Sequence, residues 1–93
     1  MYAIIYTSKK VRSITKTGEQ FTLYNDINGD AHSYRLGDDM KFPNDCLLFC
    51  TLTEANAFAL AWIGDNACDP IHFTVVEVEP VIVPITIGYK QIK

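Results

Sequence analysis

The sequence predicts an α+β fold, an antiparallel sheet of about five or six strands, opening on a hairpin meander, with one main helix packed on one face. Three observations predict it. Short alternating segments are separated by glycine turns, a capping box opens one helical stretch, and a strongly β-branched segment returns after that helix. The 93 residues suit one domain, 1–93. With 48% hydrophobic and 20% charged residues, a packed core is expected.

Tyr2 to Thr7 alternates aromatic and branched residues and reads as a buried first strand, ended by Lys9-Lys10. Thr17-Gly18 would join a strand around Val11–Lys16 to one around Glu19–Ile27. Asn28-Gly29 would turn that strand back into Asp30–Leu36, since a type I′ turn needs positive φ at both central positions. A two-residue turn there sets Phe21 opposite Leu36 and Leu23 opposite Tyr34 on an apolar face, with Thr22 opposite Arg35 and Tyr24 opposite Ser33 on a polar one.

Gly37 to Asp45 is a polar loop carrying Pro43, and Cys46 to Cys50 (CLLFC) is a short apolar run suited to an interior strand. Thr51 and Glu54 form a T-x-x-E capping box, so a helix is predicted from about Leu52 to Ile63, with Gly64 as its stop. Leu52, Ala55, Phe58, Ala59, Trp62 and Ile63 share one face of that helix and are expected on the sheet. The other side carries Thr53, Asn56, Ala57, Leu60 and Ala61, which reads either as a contact surface or as burial within one larger core.

Ile71 to Val78 is the most strongly marked strand. Pro80 and Pro84 bracket Val81–Val83 and argue against a central strand there. Ile85, Ile87 and Tyr89 alternate with Thr86, Gly88 and Lys90, which predicts a last, edge strand.

The net charge of −3 is unevenly spread. Lys9, Lys10, Arg12 and Lys16 outweigh Glu19 in the first 24 residues, whereas residues 25–80 hold ten acidic groups against Arg35 and Lys41. Direct nucleic-acid binding therefore has little support beyond the small N-terminal patch, and a protein partner with a basic surface fits better. The residues assigned to that contact are Asp38, Asp39, Asp45, Asp65, Asp69, Glu77 and Glu79, with Leu60, Ile85, Ile87 and Tyr89 as an apolar contact. The competing expectation for the same charges is an ordinary solubilising surface.

No cofactor or metal is expected. Cys46-x₃-Cys50 with Cys68-x₃-His72 offers four zinc-ligand types, yet four residues of extended strand span ~13 Å and hold the first two thiols apart. A Cys50 or Cys68 nucleophile with His72 lacks any residue marked to orient the imidazole. The run Asp26 to Asp30 resembles the start of a calcium loop, but Ala31 and Gly37 stand where glycine and glutamate are needed. No catalytic residue is assigned, and no enzymatic activity is expected. The N-terminal apolar run is too short for a secretory signal, no stretch is long enough to cross a bilayer, and three cysteines suit a reducing compartment, so the expected location is the cytoplasm.

Phe49-Cys50-Thr51-Leu52-Thr53-Glu54-Ala55 leading into a helix, then Phe73 to Glu79 as a returning strand, resembles a layout of small bacteriophage accessory proteins of the anti-defence kind. The resemblance covers about residues 46–79 and rests on a generic motif. It implies a stoichiometric inhibitor, of the anti-CRISPR or anti-restriction class, acting on a host nucleic-acid-handling protein in the host cytoplasm. Two alternatives stand beside it. One is an assembly subunit that self-associates, as a homodimer, or augments a neighbouring sheet through its C-terminal strand. The other is a small metal protein or enzyme built on Cys50, Cys68 and His72.

Overall fold

The computed structural model describes residues 1–8, 19–65, 71–82 and 84–92. The strand expected at Val11–Lys16 and its Thr17-Gly18 turn lie outside the described residues. Among the described residues five strands and one helix follow in the order β1 (Tyr2–Ser8), β2 (Gln20–Asn25), β3 (Ala31–Arg35), α1 (Leu52–Asp65), β4 (Ile71–Ile82) and β5 (Thr86–Gln91). They make one antiparallel sheet in the order β3-β2-β1-β4-β5, the α+β architecture that the sequence predicts.

β1 is central because its side chains are apolar on both faces: Ala3, Ile4, Ile5 and Tyr6 are all buried. Ile4 and Tyr6 point to the face covered by α1, where they meet Leu23, Ala59, Phe58, Trp62, Phe73 and Val75. Ala3 and Ile5 point to the opposite face with Val76, Val78, Leu36, Phe42 and Cys46. Among the described residues no second helix covers that face. The segment from Leu36 to Cys50 does, and Phe42, 1% exposed, is its main anchor. Burying a side chain of that size is worth ~1.5–3 kcal/mol.

The CLLFC run does enter the sheet, though as two isolated bridges and not as a regular strand. Cys46 bridges Tyr24 and Phe49 bridges Tyr2, so the run wedges between the diverging ends of β2 and β1. Its side chains alternate accordingly: Cys46 and Leu48 join one core cluster, Leu47 and Phe49 the other. The buried hydroxyl of Thr22 lies 3.7 Å from the Cys46 thiol, which satisfies a polar group in an otherwise apolar layer.

The β2–β3 turn differs from the expected one. Asp26 Oδ1 accepts the backbone N–H of Asn28 at 2.8 Å and of Asp30 at 2.9 Å, and Gly29 N–H donates to the Asp26 carbonyl at 3.0 Å. Gly29 has φ 83°, while Asn28 is not among the positive-φ residues. Ile27, Asn28 and Gly29 therefore form a three-residue loop, a type I turn closed by a left-handed glycine. The extra loop residue moves the register by one: Phe21 pairs with Arg35, Thr22 with Tyr34, Leu23 with Ser33 and Tyr24 with His32.

α1 begins as expected, with Thr51 Oγ1 accepting the Glu54 N–H at 3.1 Å. It runs through Gly64 to Asp65 instead of stopping before the glycine, a difference within the usual fraying of a last turn. Leu52 is 49% exposed and does not join the sheet-facing row, although Ala55 in the same turn is fully buried.

The strand expected to end at Val78 extends to Ile82. β4 continues through Pro80, which pairs with Tyr89 of β5. Two features allow this. β1 no longer flanks β4 there, since its pairing ends at Tyr2–Glu77, and the N–H and C=O of Tyr89 are both directed at Phe42. Pro80 thus faces Tyr89 as a non-hydrogen-bonded pair, where no ladder bond needs its missing N–H.

Candidate functional site

The turn at Gly37–Met40 positions two of the predicted acidic residues. Met40 N–H donates to the Gly37 carbonyl at 3.0 Å, and Asp39 Oδ1 accepts the Lys41 N–H at 3.2 Å. Met40 adopts φ 53°, a left-handed conformation that costs a non-glycine residue ~1–2 kcal/mol. Its half-buried side chain packs on the core cluster, and Phe42 two residues on is locked to β5 by paired backbone bonds with Tyr89. Those anchors hold Asp38 and Asp39 outward on a fixed turn.

Across from this turn lies the β4–β5 ladder, where Glu79 pairs with Lys90. Asp38, Asp39, Met40, Glu79 and Lys90 line an open groove of about 560 Å³. Lys90 Nζ lies 3.2 Å from Glu79 Oε1, with both side chains well exposed, so the pair holds Glu79 only weakly. A second groove of about 300 Å³ sits beside the first and shares Asp39 with it. Its other walls include Tyr34, Lys41, Pro43 and Ile87.

The structure thus brings together Asp38, Asp39 and Glu79 from separate parts of the chain. It does not bring Asp45 or Glu77 to them. Asp45 is exposed beside β2, where its carbonyl accepts the Asn25 N–H, and β1 separates it from Glu79. Glu77 is exposed at its pairing with Tyr2 and does not line the groove. Asp65 ends α1, and Asp69 lies outside the described residues.

Of the apolar candidates, Leu60 is 66% exposed on the outer side of α1, with Thr53, Asn56, Ala57 and Ala61 exposed around it. That face is open, not buried in a larger core. Ile85 and Ile87 are exposed at the β4–β5 hairpin tip, joined by Ile82, whereas Tyr89 is half-buried against the core. Ile87 is an extra residue in β5, skipped between the Val81–Gly88 and Ile82–Thr86 pairs. Tyr34 and Pro43 of the second groove were not legible as site residues, because the one-residue register change and the path of the 37–50 segment decide their positions.

Among the described residues the cysteine and histidine candidates are dispersed. Cys46 is buried, and that burial pushes its thiol up to about 11 despite the Thr22 hydroxyl beside it. Cys50 is exposed, His72 is exposed on β4 opposite Thr7, and Cys68 lies outside the described residues. Among the described residues no three His, Cys, Asp or Glu side chains cluster to hold a metal ion, and no helix is long and apolar enough to cross a membrane. No protein-family model, curated protein or solved structure matches the chain.

Proposed function

We propose that the protein is a non-enzymatic binding protein that docks on a basic protein surface through the twin grooves flanking Asp39. The observation that carries this reading is the convergence of Asp38 and Asp39 with Glu79, next to the apolar wall of Tyr34, Pro43 and Ile87. Carboxylates on a rigid turn steer and orient a cationic partner, and the neighbouring apolar wall supplies area that water leaves on contact. The resemblance to phage accessory proteins adds the class of partner, a host protein that handles nucleic acid. A site built for phosphates offers lysines and arginines to these carboxylates.

The test is a charge reversal. A partner captured by the tagged protein and identified by mass spectrometry is titrated against the wild type and the D38K/D39K/E79K variant. The expected loss of affinity exceeds tenfold, or about 1.4 kcal/mol, and the wild-type affinity falls with added salt. Equal affinity for a folded triple variant overturns the reading.

A further inference from the structure

The two edges of the sheet are treated differently. The outer edge of β5 is obstructed, since Phe42 occupies the N–H and C=O of Tyr89, Ile87 is inserted as an extra residue, and Pro84 precedes the strand. Bridges, bulges and prolines are the usual devices that stop one sheet from pairing with another. β3 carries none of them. Its sequence, AHSYR, has no proline, glycine or lysine, it is regular over its whole length, and among the described residues nothing pairs with its outer side.

The hydrogen-bond phase shows which β3 groups are free. Leu23 gives its carbonyl to Leu47 N–H and Asn25 gives its N–H to the Asp45 carbonyl, both away from β3. Leu23–Ser33 and Asn25–Ala31 are therefore the non-hydrogen-bonded pairs of the β2–β3 ladder, and Phe21–Arg35 follows in the same phase. Ala31, Ser33 and Arg35 consequently turn their N–H and C=O groups outward, while Leu36 N–H, in the other phase, reaches Gln20.

We propose that β3 is a homodimer interface in which two copies pair this strand antiparallel about a two-fold axis at Ser33. The strand is self-complementary in that register. Ser33 faces Ser33, and Ala31 faces Arg35 on both sides of the axis, so the outward groups of the two strands close six backbone hydrogen bonds. Arg35, already 3.3 Å from Glu19, meets a small neutral residue and no like charge. His32 faces Tyr34 of the second copy in the closely spaced, non-hydrogen-bonded positions. Both rings are exposed and already flank Tyr24, at centroid distances of 5.7 and 6.4 Å, so pairing extends an existing aromatic row across the axis. The contact is short, which makes the dimer weak and concentration-dependent. This surface meets the second groove at Tyr34, which lines it, but the proposal does not depend on the grooves around Asp39.

Sedimentation equilibrium of the full chain, up to about 1 mM, tests it. The wild type is expected to dimerise. Ser33→Pro removes the outward N–H together with the Ser33 hydroxyl, and is expected to remain monomeric with its far-ultraviolet circular dichroism intact. Ser33 also hydrogen-bonds the Tyr6 side chain, so Ser33→Ala serves as the control and is expected to dimerise like the wild type. Ser33→Lys and Ser33→Asp place like charges on the axis. Each alone is expected to dimerise at least tenfold more weakly, and an equimolar mixture is expected to recover a heterodimer. A wild type that stays monomeric, a dimer that survives Ser33→Pro, or a mixture that does not associate overturns the proposal. Should Ser33→Pro fail to fold, the lysine and aspartate pair decides alone.

Discussion

Phe42 and Gly88 approach so closely that the Phe42 carbonyl oxygen occupies the space a Cβ at position 88 would need. The contact exists because Phe42 and the next residue, Tyr89, exchange backbone bonds of 2.9 and 3.0 Å, drawing the two main chains together. Glycine here is a packing requirement. Gly88→Ala is expected to destabilise the fold by ~1–3 kcal/mol, since the obstacle is main chain and cannot rotate away. Chemical denaturation gives the cost. Loosening of the Asp38–Asp39 turn should accompany it, visible as faster amide exchange at Met40 and Phe42.

The Asp26–His32 pair makes the β2–β3 hairpin sensitive to acid. His32 Nε2 lies 2.6 Å from Asp26 Oδ2, and this bond, with the backbone N–H groups of Asp30 and Asn28, holds the Asp26 carboxyl below its ordinary value. A carboxyl lowered in the folded state contributes stability above its unfolded pKa, near 4, and loses it as pH falls through the lower folded value. Asp26→Asn keeps the side-chain oxygen that accepts the turn N–H groups but removes the charge. The variant is expected to be less stable than the wild type at pH 6, with the difference closing as pH falls through the lowered Asp26 value. A difference that persists at low pH would assign the effect to lost packing instead.

How much of this was legible in the sequence depended on whether the deciding interaction was local. The Thr51 cap, the burial of β1 and the sheet-facing row of α1 at Ala55, Phe58, Ala59 and Trp62 follow from spacing alone. The hairpin register does not. Asn28-Gly29 invites a two-residue turn, and the Asp26 side chain, bonded to Asn28 and Asp30, selects a three-residue loop. The lining of the first groove was legible in part: Asp38, Asp39 and Glu79 were all singled out as acidic contact candidates, but only the Phe42–Tyr89 bridge sets the turn beside β4 and β5. No periodicity announces a segment that covers a sheet face without regular structure. The extension of β4 past Val78 was hidden for a related reason, since tolerance of Pro80 depends on where Tyr89 sends its hydrogen bonds.

The two described cysteines should differ sharply in reactivity. Cys46 is buried with its thiol pushed up to about 11, whereas Cys50 is exposed. At pH 8 only about one Cys46 thiol in a thousand is ionised, and the thiolate is the reacting form. Brief treatment with iodoacetamide followed by peptide mapping is expected to find Cys50 alkylated and Cys46 untouched, until denaturant exposes it. Equal labelling in the folded protein would contradict the wedge that CLLFC forms between β1 and β2.

Adjacent positions on α1 should respond in opposite ways to their apparent bulk. Leu60 is a large apolar residue that is 66% exposed, while its neighbour Ala59 is 2% exposed against Ile4, Tyr6 and Leu23. Leu60→Gln removes little buried area and keeps a good helix former, so its effect should stay within about 0.5 kcal/mol. Ala59→Leu adds volume where the helix and sheet already touch. The helix must lift or β1 must shift, at ~1–3 kcal/mol. Paired thermal melts of the two variants check the assignment, with a clear fall in Tm expected only for Ala59→Leu. The reverse order would mean that the outer side of α1, not the Ala55 and Ala59 side, faces the sheet.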